Sequence, residues 1–249
     1  ALGRWLTTED DPTLAAGHAA LGEAFDGFKE LLLQAGEAAK KPEADPATTL
    51  APEARARFTR MLAALTEAVA EAGDASDLFG RQVQKEFLPY LLLSRFGERC
   101  YTKPRGYAGD YLTIEWMYRN EAGGHGAVGR LIDTAMLDSP PCRATRNRRG
   151  LLATAIREVI DRKEGEPARV ASFACGPAEE VFDVLDGLDD ESRLHATLID
   201  IDRQALGHVS ERLARERRAG QVTLEHANLV HLATGQQTLP LEGLDLVYS

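Results

Sequence analysis

The sequence predicts an α/β fold, a parallel sheet preceded by a helical region, on three observations. The second half alternates short β-prone runs with helix-forming stretches, which implies right-handed βαβ units. The first half carries amphipathic helical periodicity instead. Between them, Val170–Glu180 is an apolar run that breaks at Cys175-Gly176-Pro177 and enters a helix. The expected division is residues 1–141 for the helical region and 142–249 for the sheet domain.

In order, Asp11-Pro12 to Lys41 is expected to form a helix whose apolar stripe is Leu14, Leu21, Phe25, Phe28 and Leu32. Lys41-Pro42 to Pro52 reads as an exposed loop. A second helix, Pro52–Gly73, carries Phe58, Met61, Leu62, Leu65 and Val69 on one face. A third, Asp77 to about Arg99, carries Leu78, Val83, Phe87, Leu91 and Phe96, with a kink expected at Pro89 and Phe87–Leu93 buried. Leu112–Asn120 is expected to be a short helix with Trp116 and Met117 inward. A glycine hinge at Gly123-Gly124-His125-Gly126 and a helix from Ala127 to Leu137 follow, the latter stopped by Ser139-Pro140-Pro141. From Cys142 a longer helix runs to about Lys163.

The strands are expected at Val170–Ala174, Leu194–Asp200, Val222–Ala227 and Leu244–Ser249, with a charged helix over Asp202–Arg218. After the first strand only Gly176 takes a positive φ without strain, and Pro177 suits the first turn of a helix. Glu179 and Glu180 then complement the positive end of the helix dipole. The loop lacks GxGxxG, having Ala174 and Glu179 in place of glycines, and GxxxxGK[ST] is absent. A ribose-bearing cofactor without phosphates fits it better than a dinucleotide.

Asp200 follows Gly176 by 24 residues, the spacing at which an acid at the end of a second strand accepts hydrogen bonds from ribose hydroxyls. Asp202 is expected to cap the next helix. Asn228 either offers its amide to a base edge or is a turn residue, and Ile201 and Leu229 are placed to sandwich the ring.

Two clusters lie upstream. Cys100–Tyr111 crowds three tyrosines, two cations and two glycines into one loop, either a ligand clamp or a tight turn whose tyrosines pack. Arg143, Arg146, Arg148 and Arg149 lie near a helix N-terminus, where the dipole disfavours cations. One or two of them are candidates for a carboxylate; for any single arginine an ordinary surface pair is the alternative.

The net charge of −10 argues against nucleic-acid or anionic-membrane partners. The odd set Cys100, Cys142 and Cys175 supports neither a disulfide framework nor zinc, and a reducing cytoplasm is the expectation. His125, His195, His208, His226 and His231 show no metal spacing, so no metal is expected. No run reaches membrane-spanning length, and no signal pattern is seen.

The series Ala174-Cys-Gly-Pro-Ala178, Leu198-Ile-Asp-Ile-Asp202, Ala227-Asn-Leu229 and Leu244-Asp-Leu-Val-Tyr-Ser249 resembles the motifs of class I S-adenosylmethionine-dependent methyltransferases, over about Arg146–Ser249. The loop departs from the common pattern at Ser172, where an acid is frequent, and at Ala174 and Ala178, where glycines are frequent. Lys103-Pro-Arg-Gly-Tyr-Ala-Gly-Asp110 with Arg146-Asn-Arg-Arg149 is similar to the bacterial methyltransferases of 3-hydroxy fatty acid (3-hydroxypalmitate) methyl ester synthesis.

The resemblance implies a Rossmann-like sheet behind a helical lid and substrate region. It also implies S-adenosylmethionine as cofactor, bound by Tyr107, Arg146, Ala174, Cys175, Gly176, Asp200, Ile201, Asn228, Leu229 and Ser249. Tyr101, Lys103 and Tyr111 are implied to meet a small-molecule acceptor. Carboxyl O-methylation of a 3-hydroxy fatty acid by direct SN2 transfer is the preferred reaction. A carboxylate is already a nucleophile at neutral pH and needs alignment rather than a base. Another N- or O-methyl acceptor, for which His125 becomes a candidate base, and a non-catalytic binding protein are the alternatives. The family sheet has seven strands and four are read here, so a fragment with an open edge prone to homo-oligomerisation is expected.

Overall fold

The computed structural model describes residues 12–41, 43–73 and 76–249, and the side chains of 12–18, 76, 78, 79 and 82 are outside that description. The expected cap Asp11 therefore lies outside the described residues, as do the side chains of the stripe positions Leu14 and Leu78. The helices are α1 (Pro12–Ala38), α2 (Pro46–Thr49), α3 (Ala51–Ala72), α4 (Ser76–Leu91), α5 (Arg95–Thr102), α6 (Tyr111–Arg119), α7 (Gly126–Leu137) and α8 (Pro140–Arg162). After them come β1 (Ala168–Phe173), α9 (Glu179–Leu185), a 3-10 turn (Glu191–Arg193), β2 (Leu194–Asp200), α10 (Arg203–Glu216), β3 (Val222–His226), α11 (Leu229–Ala233) and β4 (Leu246–Tyr248). Among the described residues no helix is long and apolar enough to cross a membrane.

Two compact units result. The first holds the described residues through Ala108 with Arg119–Arg143, and the second Gly109–Tyr118 with Ala144–Ser249. In the first, Leu21, Phe25, Phe28 and Leu32 of α1 pack with Phe58 and Met61 of α3 and Leu131 and Ile132 of α7. Phe28 lies 5.5 Å from Phe58, and Phe25 meets Phe87 edge-on at 5.6 Å. These rings bury the most apolar area per residue and dominate this core.

Several helix boundaries differ from expectation. The loop at 42–52 contains the single turn α2, begun by Pro46, with Pro46 and Ala47 buried. The third helix is divided rather than kinked. It stops at Leu91, and Ser94 restarts it as α5 by accepting from Gly97 N–H at 2.7 Å. Leu92 and Leu93, expected in a buried helix, are 40% and 37% exposed in the turn between. Ser139-Pro140-Pro141 opens α8 as well as ending α7, because a proline in the first turn forfeits an N–H that has no helical partner.

The cause of the break is Asp133 of α7, which is 1% exposed. Its Oδ1 accepts from the Ser94 hydroxyl and from Phe96 N–H at 3.0 Å, and its Oδ2 from Gly123 N–H at 2.8 Å. The expected glycine hinge is instead tightly packed, since a Cβ on Gly129 would overlap the Leu93 carbonyl and one on Gly124 would overlap the Gly129 backbone. Gly129→Ala should cost about 1–3 kcal/mol as overpacking against backbone, read as a lower urea midpoint at unchanged m.

The second unit is a Rossmann-like sheet, all parallel, in the order β3-β2-β1-β4. One face buries Ala168, Val170, Leu194, Ala196, Leu198 and Val222 against Ile156 and Ile160 of α8, Val181 and Phe182 of α9, and Val209 and Leu213 of α10. The other centres on Ala171, Ile199 and Ala227, covered by Leu229, Leu232, Leu239, Leu241 and Leu244. The chain adds strands outward on one side of β1 and then returns to the other side for β4. That reversal makes the carboxyl ends of β1 and β4 a topological switch point, the place where open α/β sheets bind ligands.

Candidate functional site

Leaving β1, the chain turns through Ala174–Ala178, and Cys175 N–H donates to Ile199 O at 3.1 Å, tying the turn to β2. Asp200 ends β2 and is 7% exposed. Its Oδ2 accepts from Gly176 N–H at 2.9 Å and its Oδ1 from Asp202 N–H at 2.8 Å. Each oxygen keeps a second lone-pair direction, so the carboxylate is oriented yet able to accept from hydroxyls. Asp202 caps α10 through Gln204 N–H at 2.9 Å.

The turn is more strained than expected. Gly176 has φ +54°, but Ala174 (φ +54°) and Ala178 (φ +51°) share the left-handed region. The helix begins at Glu179 and not at Pro177, which is buried in the turn. A left-handed alanine costs about 1–2 kcal/mol, and glycine returns part of that as unfolded-state entropy. Exposed Ala174 is the cleaner test: Ala174→Gly should raise stability by about 0.5 kcal/mol in urea unfolding.

Behind the turn, Glu180 is 5% exposed and accepts the Tyr248 hydroxyl at 3.1 Å. Ser172, in register with Tyr248 across β1 and β4, also hydrogen-bonds that phenol. Burial pushes the Glu180 carboxyl above its usual range, opposed by its own N–H, the Tyr248 hydroxyl and the charge of Arg148. Burial first, then the charge of Glu180, pushes the Tyr248 phenol well above its ordinary value. The Cys175 thiol is raised strongly by burial and then by the charges of Asp200 and Glu180, which favours its neutral form.

The arginines of α8 are mostly answered inside the unit. Arg149 holds Asp183 through two bonds of 2.6 Å, reaches Glu179 at 3.3 Å and covers the Tyr118 ring at 5.1 Å. Arg146 donates to Met117 O at 3.1 Å, and Arg148 to the Tyr118 hydroxyl. Glu179 also pairs with Arg212 at 2.8 Å.

Of the other residues singled out by sequence, Ile201 is 58% exposed beside Asp200. Asn228 caps α11 by accepting from Val230 N–H at 2.9 Å, with half-buried Leu229 next to it, and Ser249 is exposed after β4. Tyr111 stacks obliquely on His208 at 5.3 Å in the second unit. Tyr101, Lys103 and Tyr107 belong to the first unit; Gln84 donates to the Tyr101 hydroxyl at 2.7 Å, Lys103 ends α5 at φ +44°, and Tyr107 is 45% exposed. Asp110 ends the KPRGYAGD stretch as the buried cap of α6, accepting from Leu112 and Thr113 N–H. In α6 Thr113 and Glu115 are buried, whereas Trp116 and Met117, expected inward, are half-buried. Glu180 was expected only to complement the helix dipole, and Gln237 carried no expectation; Gln237 joins His226 O to Asn228 N–H and bridges two loop ends.

Residues 105–238, more than half of the chain, match the profile of a family described as "Putative methyltransferase". The chain belongs to this methyltransferase family. The family match takes in β1, β2, β3 and the turn at Gly176, and so the whole constellation around Asp200. A search of curated proteins returns no match. The chain is similar to one solved structure, titled as that of a possible exported protein from Bordetella parapertussis. The identity is 21% and the TM-score 0.46, over 96% of this chain and 62% of that one. The chain thus spans 62% of the length of that protein. For a methyltransferase cofactor the donor set is suitable: an oriented carboxylate at Asp200, open space beside Gly176, and apolar Ile201 exposed next to them.

Proposed function

We propose that this chain binds S-adenosylmethionine at the carboxyl ends of β1 and β2 and methylates a small-molecule acceptor, preferably the carboxylate of a 3-hydroxy fatty acid. The observation that carries the reading is the Asp200 carboxylate, held by Gly176 and Asp202 N–H groups at the carboxyl end of β2. The cofactor supplies an electrophilic methyl group when bound. Asp200 accepts from the ribose hydroxyls, and Ala174, Cys175 and Gly176 line the ribose and methionine. Ile201 and Leu229 flank the adenine, whose edge meets the amide N–H groups of Asn228; its oxygen is already committed to Val230. Ser249 closes the cofactor side after β4, while Arg146 approaches the cofactor carboxylate.

On the acceptor side, the acid's carboxylate needs orientation and a dry environment rather than deprotonation. The net charge of −10 supports a small molecule over nucleic acid as partner. Calorimetry with S-adenosylmethionine and S-adenosylhomocysteine tests the cofactor, with micromolar binding expected; no binding sinks the reading. Incubation with labelled S-adenosylmethionine and 3-hydroxypalmitate tests the acceptor, a labelled methyl ester being the expected product.

A further inference from the structure

Where β3 ends, one edge of its backbone is left for a side chain to pair. Ala227 N–H still donates to Asp200 O on the β2 side at 3.2 Å. The His226 carbonyl and Asn228 N–H, which flank that residue, point the other way, because successive residues of an extended strand alternate in direction. Gln237 answers both: its Nε2 donates to His226 O at 3.2 Å, and its Oε1 accepts from Asn228 N–H at 3.2 Å. A primary amide carries a donor and an acceptor side by side, as a strand edge does, so this side chain serves as one more rung of the sheet. A closed turn delivers it, since Gln236 and Gln237 N–H both donate to His231 O, at 2.8 and 3.1 Å. The His226 ring reaches the other way, to the end of β2. A carbonyl only accepts, so His226 Nε2 donates to Ile201 O at 3.1 Å. Ile201 on one side and Asn228 with Leu229 on the other are thereby tied together through His226 and Gln237.

Gln237 is half-buried and His226 exposed, so these bonds compete with water and contribute little to stability. What they fix is position. Asn228 Oδ1 is spent on Val230 N–H at 2.9 Å, which leaves the amide of this side chain with donors only. A donor held in place selects a base that offers an acceptor there and opposes one that offers a donor. We propose that Gln237 is a positioning residue that sets base selectivity at the cofactor site, a role that rests on the S-adenosylmethionine reading above. Held by Gln237, the Asn228 amide meets N1 of adenine, which accepts. Hypoxanthine carries N1–H in that place, and its nearest acceptor, O6, lies one position along the edge. Without Gln237 the Asn228 backbone is free to shift, the amide can reach O6, and the two bases are told apart less well.

The test is calorimetry on the full chain near neutral pH with S-adenosylhomocysteine and S-inosylhomocysteine, which differ only at the base. The unmodified protein should bind the first about tenfold or more tighter than the second. Gln237→Ala should weaken S-adenosylhomocysteine by about three- to tenfold and S-inosylhomocysteine by less than about twofold, so that the ratio narrows. Gln237→Glu still accepts from Asn228 N–H but has no donor for His226 O, and its ratio should fall between the two. Ligand-free Gln237→Ala should melt within about 4 °C of the unmodified protein, as the loss of two solvent-competed bonds implies. An unchanged ratio in Gln237→Ala overturns the role and leaves the cofactor reading standing. Equal weakening of both ligands with a larger drop in melting temperature makes Gln237 a structural residue and also overturns it. Equal binding of the two ligands by the unmodified protein does the same, because there is then no selectivity to set. Failure of the unmodified protein to bind either ligand removes the cofactor reading and the role together.

Discussion

Asp200→Ala should weaken S-adenosylhomocysteine binding on the order of 100-fold and lower stability by about 2 kcal/mol. Both effects come from one carboxylate. Toward the ligand, hydrogen bonds to an ionised acceptor contribute about 1.5–3 kcal/mol, and a ribose presents two hydroxyls. Within the chain, truncation leaves Gly176 and Asp202 N–H groups without their acceptor in a position only 7% exposed. Asp200→Asn separates the two effects, because its amide oxygen still accepts one N–H while the charge is lost. It should keep most of the stability and less of the affinity. Calorimetry and thermal melting on the same preparations read both numbers, and unchanged affinity in Asp200→Ala would remove the residue from the ribose role.

The largest stability loss is expected away from that site. Asp133→Ala should destabilise by about 3–5 kcal/mol, because it removes a buried acceptor used by three donors at once. The Ser94 hydroxyl, Phe96 N–H and Gly123 N–H would each face an apolar methyl, with little room for water in a site that is 1% exposed. Asp133→Asn should recover about half, since its oxygen serves Ser94 and Phe96 while its NH2 opposes Gly123 N–H. Urea unfolding measures both, and an Asp133→Ala loss below about 1 kcal/mol would show that the three segments hold together without it.

Where local chemistry decides, the sequence was readable. The apolar runs expected as buried parallel strands, Val170–Ala174 and Leu194–Asp200, pair as such with the first ending one residue earlier at Phe173, and the 24-residue interval from Gly176 to Asp200 became a hydrogen bond. Asp202 capped α10 as a residue of that type does before a charged helix. What sequence missed depends on partners far along the chain. The division between α4 and α5 is set by Asp133, 39 residues from Ser94, and nothing in Leu91–Ser94 announces it. Arg149 was a candidate for a ligand's carboxylate and met Asp183 instead, 34 residues away. Glu180 was hidden for another reason. A glutamate in a helix's first turn is explained by the dipole alone, so its burial beneath Tyr248 left no trace in the pattern. The strain at Ala174 and Ala178 was likewise unreadable, because an alanine does not declare a left-handed φ.

Gly109–Tyr118 groups with the sheet while the residues on both sides of it group with the helices. The polypeptide consequently passes from one body to the other three times, and neither body is a single uninterrupted length of chain. Dissection by one cut is therefore ruled out: a fragment begun at Cys142 would forfeit α6 with its Asp110 cap and the Met117 carbonyl that Arg146 uses. Separate expression, domain swapping between relatives and limited proteolysis all have to respect that threading.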